Sequence, residues 1–318
     1  MLLEIFLLLL GFAILIKGAD FLVDGASSSA KKFGISNLAI GLTVVAFGTS
    51  MPELIVSLFS ALDGKNDASF GNVIGSNNFN LLFILGISGL IYPLVVHRNT
   101  VKFEVPLSLL AAVVLYLLVN DQMTFGTENM LSRGDGVILL LCFLGFLYYI
   151  YRTMKTTPEV EQGTIRLFST PVAAAMIIGG LLALIFGGQL VVKNAIALAQ
   201  HFGLSERLIG LTILAAGTSL PELATSAVAA YRKNTDIAIG NVIGSNIFNI
   251  FFILGITSTV QPISYNIAMN FDFKVLGAAT ILLMVFMFTL NTRKLDRWEA
   301  LLMLGGYLAY TLVLISMD

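Results

Sequence analysis

The sequence predicts an all-α membrane protein of ten transmembrane helices, arranged as two inverted five-helix repeats. Three observations carry this. First, 57% of the 318 residues are hydrophobic and only 12% are charged, against roughly 25% charged in soluble domains. Second, the apolar residues gather in stretches that approach the length of a bilayer crossing, about 20 residues for a core of about 30 Å. Third, one half of the chain recurs in the other at a constant spacing.

The first span runs from Leu2 to Ile16 and continues past Phe21. It is not a signal peptide: Glu4 stands where a basic n-region belongs, and no small-residue cleavage site precedes Lys17. Four more spans follow in the first half: Leu38 to Leu62, Phe70 to Val96, Val105 to Val119 and Val137 to Tyr151. The second half supplies Pro171 to Ala199, Leu208 to Tyr231, Ile237 to Val260, Phe273 to Leu290 and Ala300 to Met317. The halves are residues 1–151 and 171–318. The polar linker between them, 152–170, is too short to be a folded domain and is expected to be cytoplasmic.

Ten spans put both termini on one side. Loops after odd-numbered spans hold Lys31, Lys32, Arg98, Lys102, Arg152, Lys155, Arg166, Arg232, Lys233, Arg293, Lys294 and Arg297. The other side holds only Lys65, Arg133, Lys193, Arg207 and Lys274. The positive-inside rule then places both termini outside the cytoplasm, in the plasma (cell inner) membrane. Trp298, Tyr148, Tyr149 and Tyr151 fall at the proposed cytoplasmic interface. A net charge of −1 offers no field for nucleic acid, and the single Cys142 excludes a disulfide framework. Nothing indicates a cofactor or an obligate protein partner; the lipid bilayer is the surrounding medium.

The repeat is specific. GLTVVAFGTSMPEL, from Gly41, recurs as GLTILAAGTSLPEL, from Gly210. FGNVIGSNNFNLLFILGI, from Phe70, recurs as IGNVIGSNIFNIFFILGI, from Ile239. Both pairs are 169 residues apart, as are Gly34 and Gly203, Ser36 and Ser205, and Asp67 and Asp236. Five spans per half is odd, so the second half enters the membrane upside down. Secondary transporters use this architecture, with the substrate near the midplane between repeats.

The repeated segments carry hard-cation chemistry. Pro52 and Pro221 interrupt their helices and free backbone oxygen near Ala46, Gly48, Thr49, Ala215, Gly217 and Thr218. Glu53 and Glu222 stand in apolar spans, where a charge costs about 2.5–3.5 kcal/mol on insertion scales. If they converge to about 6 Å they repel by roughly 3 kcal/mol at an effective dielectric near 20, and need a cation or protons. Thr49 and Glu53 share a helix face, as do Thr218 and Glu222, Ser76 and Asn80, and Ser245 and Asn249. These faces present oxygen alone, which suits Ca²⁺ rather than zinc or copper. Gly71 with Gly75, and Gly240 with Gly244, are expected to let helices pack closely. Asn72, Asn77, Asn241 and Asn246 are expected to bond between helices. Asp67 and Asp236 read as N-caps, Asp20 and Asp24 as interfacial, and His97 and His201 as solvated.

The paired GTS-x-PEL and GNVIGSN-x-FN segments resemble the α-repeats of the sodium/calcium exchangers, especially the prokaryotic branch of the calcium/cation antiporters. The resemblance implies Na⁺ and Ca²⁺ as substrates and no enzymatic activity. It implies calcium binding by Glu53 and Glu222 with the carbonyls of Thr49 and Thr218. Sodium sites would use the same glutamates with Ser50, Ser76, Ser219, Ser245 and the carbonyls of Ala46 and Ala215. Asn80 and Asn249 match a central position, and the first and sixth spans slide against the rest. Several relatives, potassium-dependent exchangers among them, carry aspartate at the position of Asn249, so the asparagine here argues against potassium cotransport. Two ionised glutamates are neutralised by one Ca²⁺, two Na⁺ or two H⁺, and a third Na⁺ makes exchange electrogenic. The alternative is an H⁺/Ca²⁺ antiporter using the same glutamates. A channel fits the interrupted helices less well, and no catalytic arrangement supports an intramembrane enzyme.

Overall fold

The structure, a computed structural model, describes residues 1–121, 128–154, 166–202, 215–289 and 293–317. Its helices are α1 (Leu2–Phe33), α2 (Asn37–Thr49), α3 (Met51–Leu62), α4 (Asn66–Ile91), α5 (Thr100–Val119) and α6 (Arg133–Thr153). After the linker come α7 (Thr170–His201), α8 (Ala215–Gly217), α9 (Leu220–Tyr231), α10 (Thr235–Val260), α11 (Ile267–Phe286) and α12 (Arg297–Met317). Among the described residues eight helices are long and apolar enough to cross a membrane, and the bent pair α2–α3 makes a ninth. The chain is thus a multi-pass membrane protein. The expected span Leu208 to Tyr231 begins in 203–214, outside the described residues; α8 and α9 are its described part.

Polarity decides which helices lie inside. The segments with the GNVIGSN sequence fall in α4 and α10, whose most apolar windows are 72% and 94% buried, against 22–39% in the other single spans. Lipid offers asparagine and serine no hydrogen bonds, so these helices are wrapped by apolar ones. The outer faces carry exposed Leu9, Phe12, Ile178 and Phe186. Two short antiparallel ladders tie the halves together. β1 (Leu94–Val95) pairs with β4 (Lys294–Leu295), and β2 (Met130–Leu131) with β3 (Ile263–Ser264).

The longest helices, α1 and α7, run antiparallel and pack chiefly on each other. Gly11, Gly18 and Gly25 recur every seven residues, which keeps them on one face of α1. Gly11 meets Gly187, Gly18 meets Gly180, and Gly25 meets Ala173. A Cβ built on Gly18 would stand 2.9 Å from the Gly180 carbonyl oxygen, so the backbones touch with no room for a side chain. α1 ends where Gly34 turns left-handed at φ 63°.

Two expectations at the helix ends are corrected. Asp67 and Asp236 are not N-caps. Lys65 and Asn234 occupy those positions, and the Asn234 side chain accepts from the Ile237 amide. The aspartates, second in their helices, bond to the opposite half instead. Asp67 Oδ2 accepts from Asn266 at 3.2 Å, and Asp236 Oδ2 lies 3.0 Å from His97 Nε2. His97 is therefore partnered rather than solvated, and the Asp236 carboxylate raises its pKa above the usual imidazole value.

The α1–α7 contact makes a prediction. Gly18→Val overpacks the seam and is expected to cost about 1–3 kcal/mol, read as a lower Tm in detergent. Gly145→Val, where no described atom lies within 4 Å of an added Cβ, serves as the control and should leave Tm unchanged.

Candidate functional site

The site is built where two helices break. Ser50, at φ −83° and ψ 6°, separates α2 from α3, which diverge by 46°. Ser219, at φ −89° and ψ 9°, likewise precedes α9. Pro52 and Pro221 are second in the restarted helices, where a missing N–H costs nothing. Glu53 and Glu222 are third, at the electropositive helix ends. Their exposures are 0% and 1%.

Each carboxylate is held by the other half. Ser50 Oγ donates to Glu222 Oε1 at 2.9 Å, and Ser219 Oγ lies 2.9 Å from Glu53 Oε1. Each glutamate thus touches the hydroxyl three residues before the other, which brings the two together. Ser76 adds a contact at 3.5 Å to Glu53 Oε1 and Ser245 one at 3.4 Å to Glu222 Oε1. Ser76 and Ser219 are 3.0 Å apart.

A second layer fixes the main chain. Asn72 Nδ2 donates to the Glu53 carbonyl and to Ser57 Oγ, while Asn72 Oδ1 accepts from Thr218. Asn241 repeats this with the Glu222 carbonyl, Ser226 and Thr49. Thr49 and Thr218 hydroxyls are therefore engaged by asparagine. The Ala46 carbonyl accepts from the Ser50 amide and the Thr49 hydroxyl; Ala215 opens α8. Sequence reasoning expected the asparagines to bond between helices, and they do. It passed over Ser57 and Ser226, although each lies four residues after a glutamate on the same helix face.

The third layer joins α4 to α10. Asn77 donates to the Asn246 carbonyl at 3.2 Å, and Asn246 to the Asn77 carbonyl at 3.3 Å. Asn80 Nδ2 donates to Asn246 Oδ1 and Asn249 Nδ2 to Asn77 Oδ1. Both helices widen into π turns here, at Phe79–Ile84 and Phe248–Leu254, a distortion that often marks functional sites. With their NH₂ groups committed, Asn80 and Asn249 leave Oδ1 buried and unpartnered. Glu53 Oε2 and Glu222 Oε2 are in the same condition. No lysine or arginine is paired with either glutamate among the described residues.

The surroundings are less symmetric than the site. Thr49 and Asn241 are 1% and 0% exposed, while their counterparts Thr218 and Asn72 are only half-buried. Thr218 borders two cavities, of about 610 and 440 Å³. The larger is also lined by Gly71, Asn72, Gly75, Asp272 and Tyr310, the smaller by Pro52, Pro221, Gln189 and Lys193. Gly240 and Gly244 pack closely as expected, on Leu38 and Leu42 of α2. The residues that correspond to Leu38 and Leu42 by the repeat lie in 203–214, outside the described residues.

The model of the family described as "Sodium/calcium exchanger protein" matches residues 3–152 and 172–316. The chain is 38% identical to the putative antiporter CaxA of Alkalimonas amylolytica, over 99% of this chain and 100% of that one. It is 31% identical to the sodium/calcium exchanger MaX1 of Methanosarcina acetivorans, over 97% of each. A structure of the sodium-calcium exchanger NCX_Mj, soaked with zero Na⁺ and Ca²⁺, superposes with a TM-score of 0.84 at 31% identity, covering 98% of this chain and 99% of that one.

The asparagine layer is testable apart from transport. Asn77→Val and Asn246→Val each strand buried partners and are expected to cost about 1–3 kcal/mol. The double variant should cost less than the sum, as thermal unfolding in detergent will show.

Proposed function

We propose that this chain, which belongs to the sodium/calcium exchanger family, exchanges Na⁺ for Ca²⁺ by alternating access at one site built on Glu53 and Glu222. Family members are transporters, not enzymes, and Na⁺ and Ca²⁺ are the ions the family exchanges. The observation that carries the finer reading is the set of four buried, unpartnered oxygens: Glu53 Oε2, Glu222 Oε2, Asn80 Oδ1 and Asn249 Oδ1. A buried acceptor left unmade costs about 1–3 kcal/mol, and more when charged. Oxygen donors with two negative charges are what a hard divalent cation takes.

In this reading Ca²⁺ binds between the two carboxylates with the carbonyls of Thr49 and Thr218. Na⁺ uses the same glutamates with Ser50, Ser76, Ser219 and Ser245, and with the Ala46 and Ala215 carbonyls. Asn80 and Asn249 contribute their free oxygens at the centre. Shared ligands make the two substrates compete, which is the basis of exchange. Loading three Na⁺ leaves the site at +1, so the cycle moves charge. The empty site, at −2, resists crossing the apolar barrier, and that suppresses leak.

The reading also takes the chain as ten spans in two inverted halves, 1–151 and 171–318 about the linker 152–170. Leu208 to Tyr231 supplies the tenth span. The lysine and arginine distribution puts both termini outside, in the cell membrane, with sodium entry driving calcium out. The half-buried Thr218 and Asn72 then mark the outer approach. The protein needs no partner chain for this cycle.

The test is uptake of radiolabelled calcium into sodium-loaded proteoliposomes. An outward sodium gradient should drive uptake, an imposed inside-negative potential should change its rate, and Glu53→Gln or Glu222→Gln should lower it at least 100-fold. Flux that follows a pH gradient without sodium selects proton/calcium exchange at the same glutamates. Uptake that survives the double substitution sinks both readings.

A further inference from the structure

Asp20 and Asp24, in the C-terminal half of α1, are not merely interfacial. The Arg232 guanidinium, just beyond α9, bonds Asp24 through Nη1 and Asp20 through Nη2, and Lys17 lies 3.6 Å from Asp20. Asn234 donates to Ser27 at 3.0 Å alongside. These contacts fasten α1 to the end of α9. All three charged side chains are only 23–32% exposed, so the pair is better shielded than a surface ion pair.

The repeat places a second set of charges at the corresponding positions. Asp24 corresponds to Lys193 on α7, and Arg232 to Asp63 at the end of α3, each 169 residues away. The acid and the base have changed places, yet each pair remains opposite in sign. Only one pair is made here. Among the described residues Lys193 forms no ion pair, and Asp63 meets only its neighbour Lys65, at 3.5 Å. The helices differ in the same way. α1 packs along α9, whereas α7 has no comparable contact with α3. In its place is the cavity of about 440 Å³, lined by Gln189, Val192 and Lys193 of α7 and by Pro52, Ile55 and Val56 of α3.

We propose that Asp24–Arg232 and Lys193–Asp63 are alternating latches, one made and one open in each end state of the transport cycle. The proposal rests on the alternating-access reading above. In an inverted repeat the second end state exchanges the roles of the two halves. The gap between α7 and α3 then closes as the α1–α9 contact is now closed, bringing Lys193 to Asp63 while Arg232 parts from Asp24. The joined α1–α7 pair carries one latch residue toward each side of the membrane, so engaging one latch withdraws the other. Asp20, whose counterpart is the neutral Gln189, gives the Arg232 latch an additional acid and biases the empty protein toward the state seen here.

The test needs no ion flux, so it can fail independently of the exchange reading. In a Cys142→Ala protein, cysteine pairs replace either Asp24 with Arg232 or Asp63 with Lys193, and a short thiol-specific bifunctional reagent bridges them in proteoliposomes. A third cysteine at Val56, which lines the cavity, reports opening through labelling by a membrane-impermeant maleimide. Bridging 24 to 232 should leave Val56→Cys labelling unchanged; bridging 63 to 193 should reduce its rate at least 10-fold. In the unbridged protein, Arg232→Gln should reduce that rate several-fold, and the exchanged pair Asp24→Arg with Arg232→Asp should restore it. Failure of 63 and 193 to cross-link, or labelling that ignores both bridges, overturns the proposal.

Discussion

Two carboxylates buried against each other, with no lysine or arginine paired to either among the described residues, are the constraint around which this molecule is organised. Glu53 and Glu222 sit in the interior of a protein whose exterior faces acyl chains, where an uncompensated charge is among the costliest things a chain can carry. Serine hydroxyls, helix N-termini and asparagine amides surround them, so among the described residues their hydrogen-bond partners are dipoles and not fixed cations. A lysine or arginine in that position would neutralise the pair permanently and leave nothing for a mobile ion to do. In the proposed exchange, dipoles reduce the cost of two buried carboxylates while leaving the last increment to a substrate ion.

The same residues explain why the two halves do not form separate sites. Ser50 of the first half supports Glu222 of the second, and Ser219 of the second supports Glu53 of the first. Asn77 and Asn246 exchange backbone hydrogen bonds across the seam, and each accepts from the other half's Asn80 or Asn249. A half on its own would expose every one of these groups to lipid. Assembly of the site and assembly of the core are one event, and the polar α4–α10 seam, unlike the glycine seam of α1 and α7, is fixed by directional bonds. Directional bonds resist sliding, whereas backbone contact through glycines is set by close fit alone.

Much of this was legible because the chemistry lies in short, duplicated segments. The acids, the oxygen-only helix faces and the interhelical role of Asn72, Asn77, Asn241 and Asn246 could all be read from spacing. The burial of α4 and α10, which their polarity explains, shows only in the structure. What escaped depends on which helices become neighbours. Asp67 and Asp236 looked like caps because a cap is a local device, but their partners, Asn266 and His97, are 199 and 139 residues away. The glycines of α1 recur every seven residues, a visible pattern, yet only the antiparallel partner α7 shows that they form a seam. Ser57 and Ser226 are indistinguishable from ordinary helix serines until Asn72 and Asn241 reach them.

A duplicated chain poses a further problem: symmetric chemistry must support unsymmetric access. The residues proposed as ligands repeat, pair for pair, at the offset of 169 residues. The differences lie farther out. Thr49 and Asn241 are sealed while Thr218 and Asn72 are partly open; α1 lies on α9 while α7 stands away from α3. Asp236 meets the titratable ring of His97, whereas Asp67 meets the neutral amide of Asn266. A site that must present the same ligands to both sides gains from uniformity at its centre. Under the proposed alternating access the periphery requires the opposite, because identical outer contacts would leave the two end states equal in energy when no ion gradient or membrane potential acts on them. Among the described residues the differences between the halves therefore gather at the periphery, and the sameness around Glu53 and Glu222.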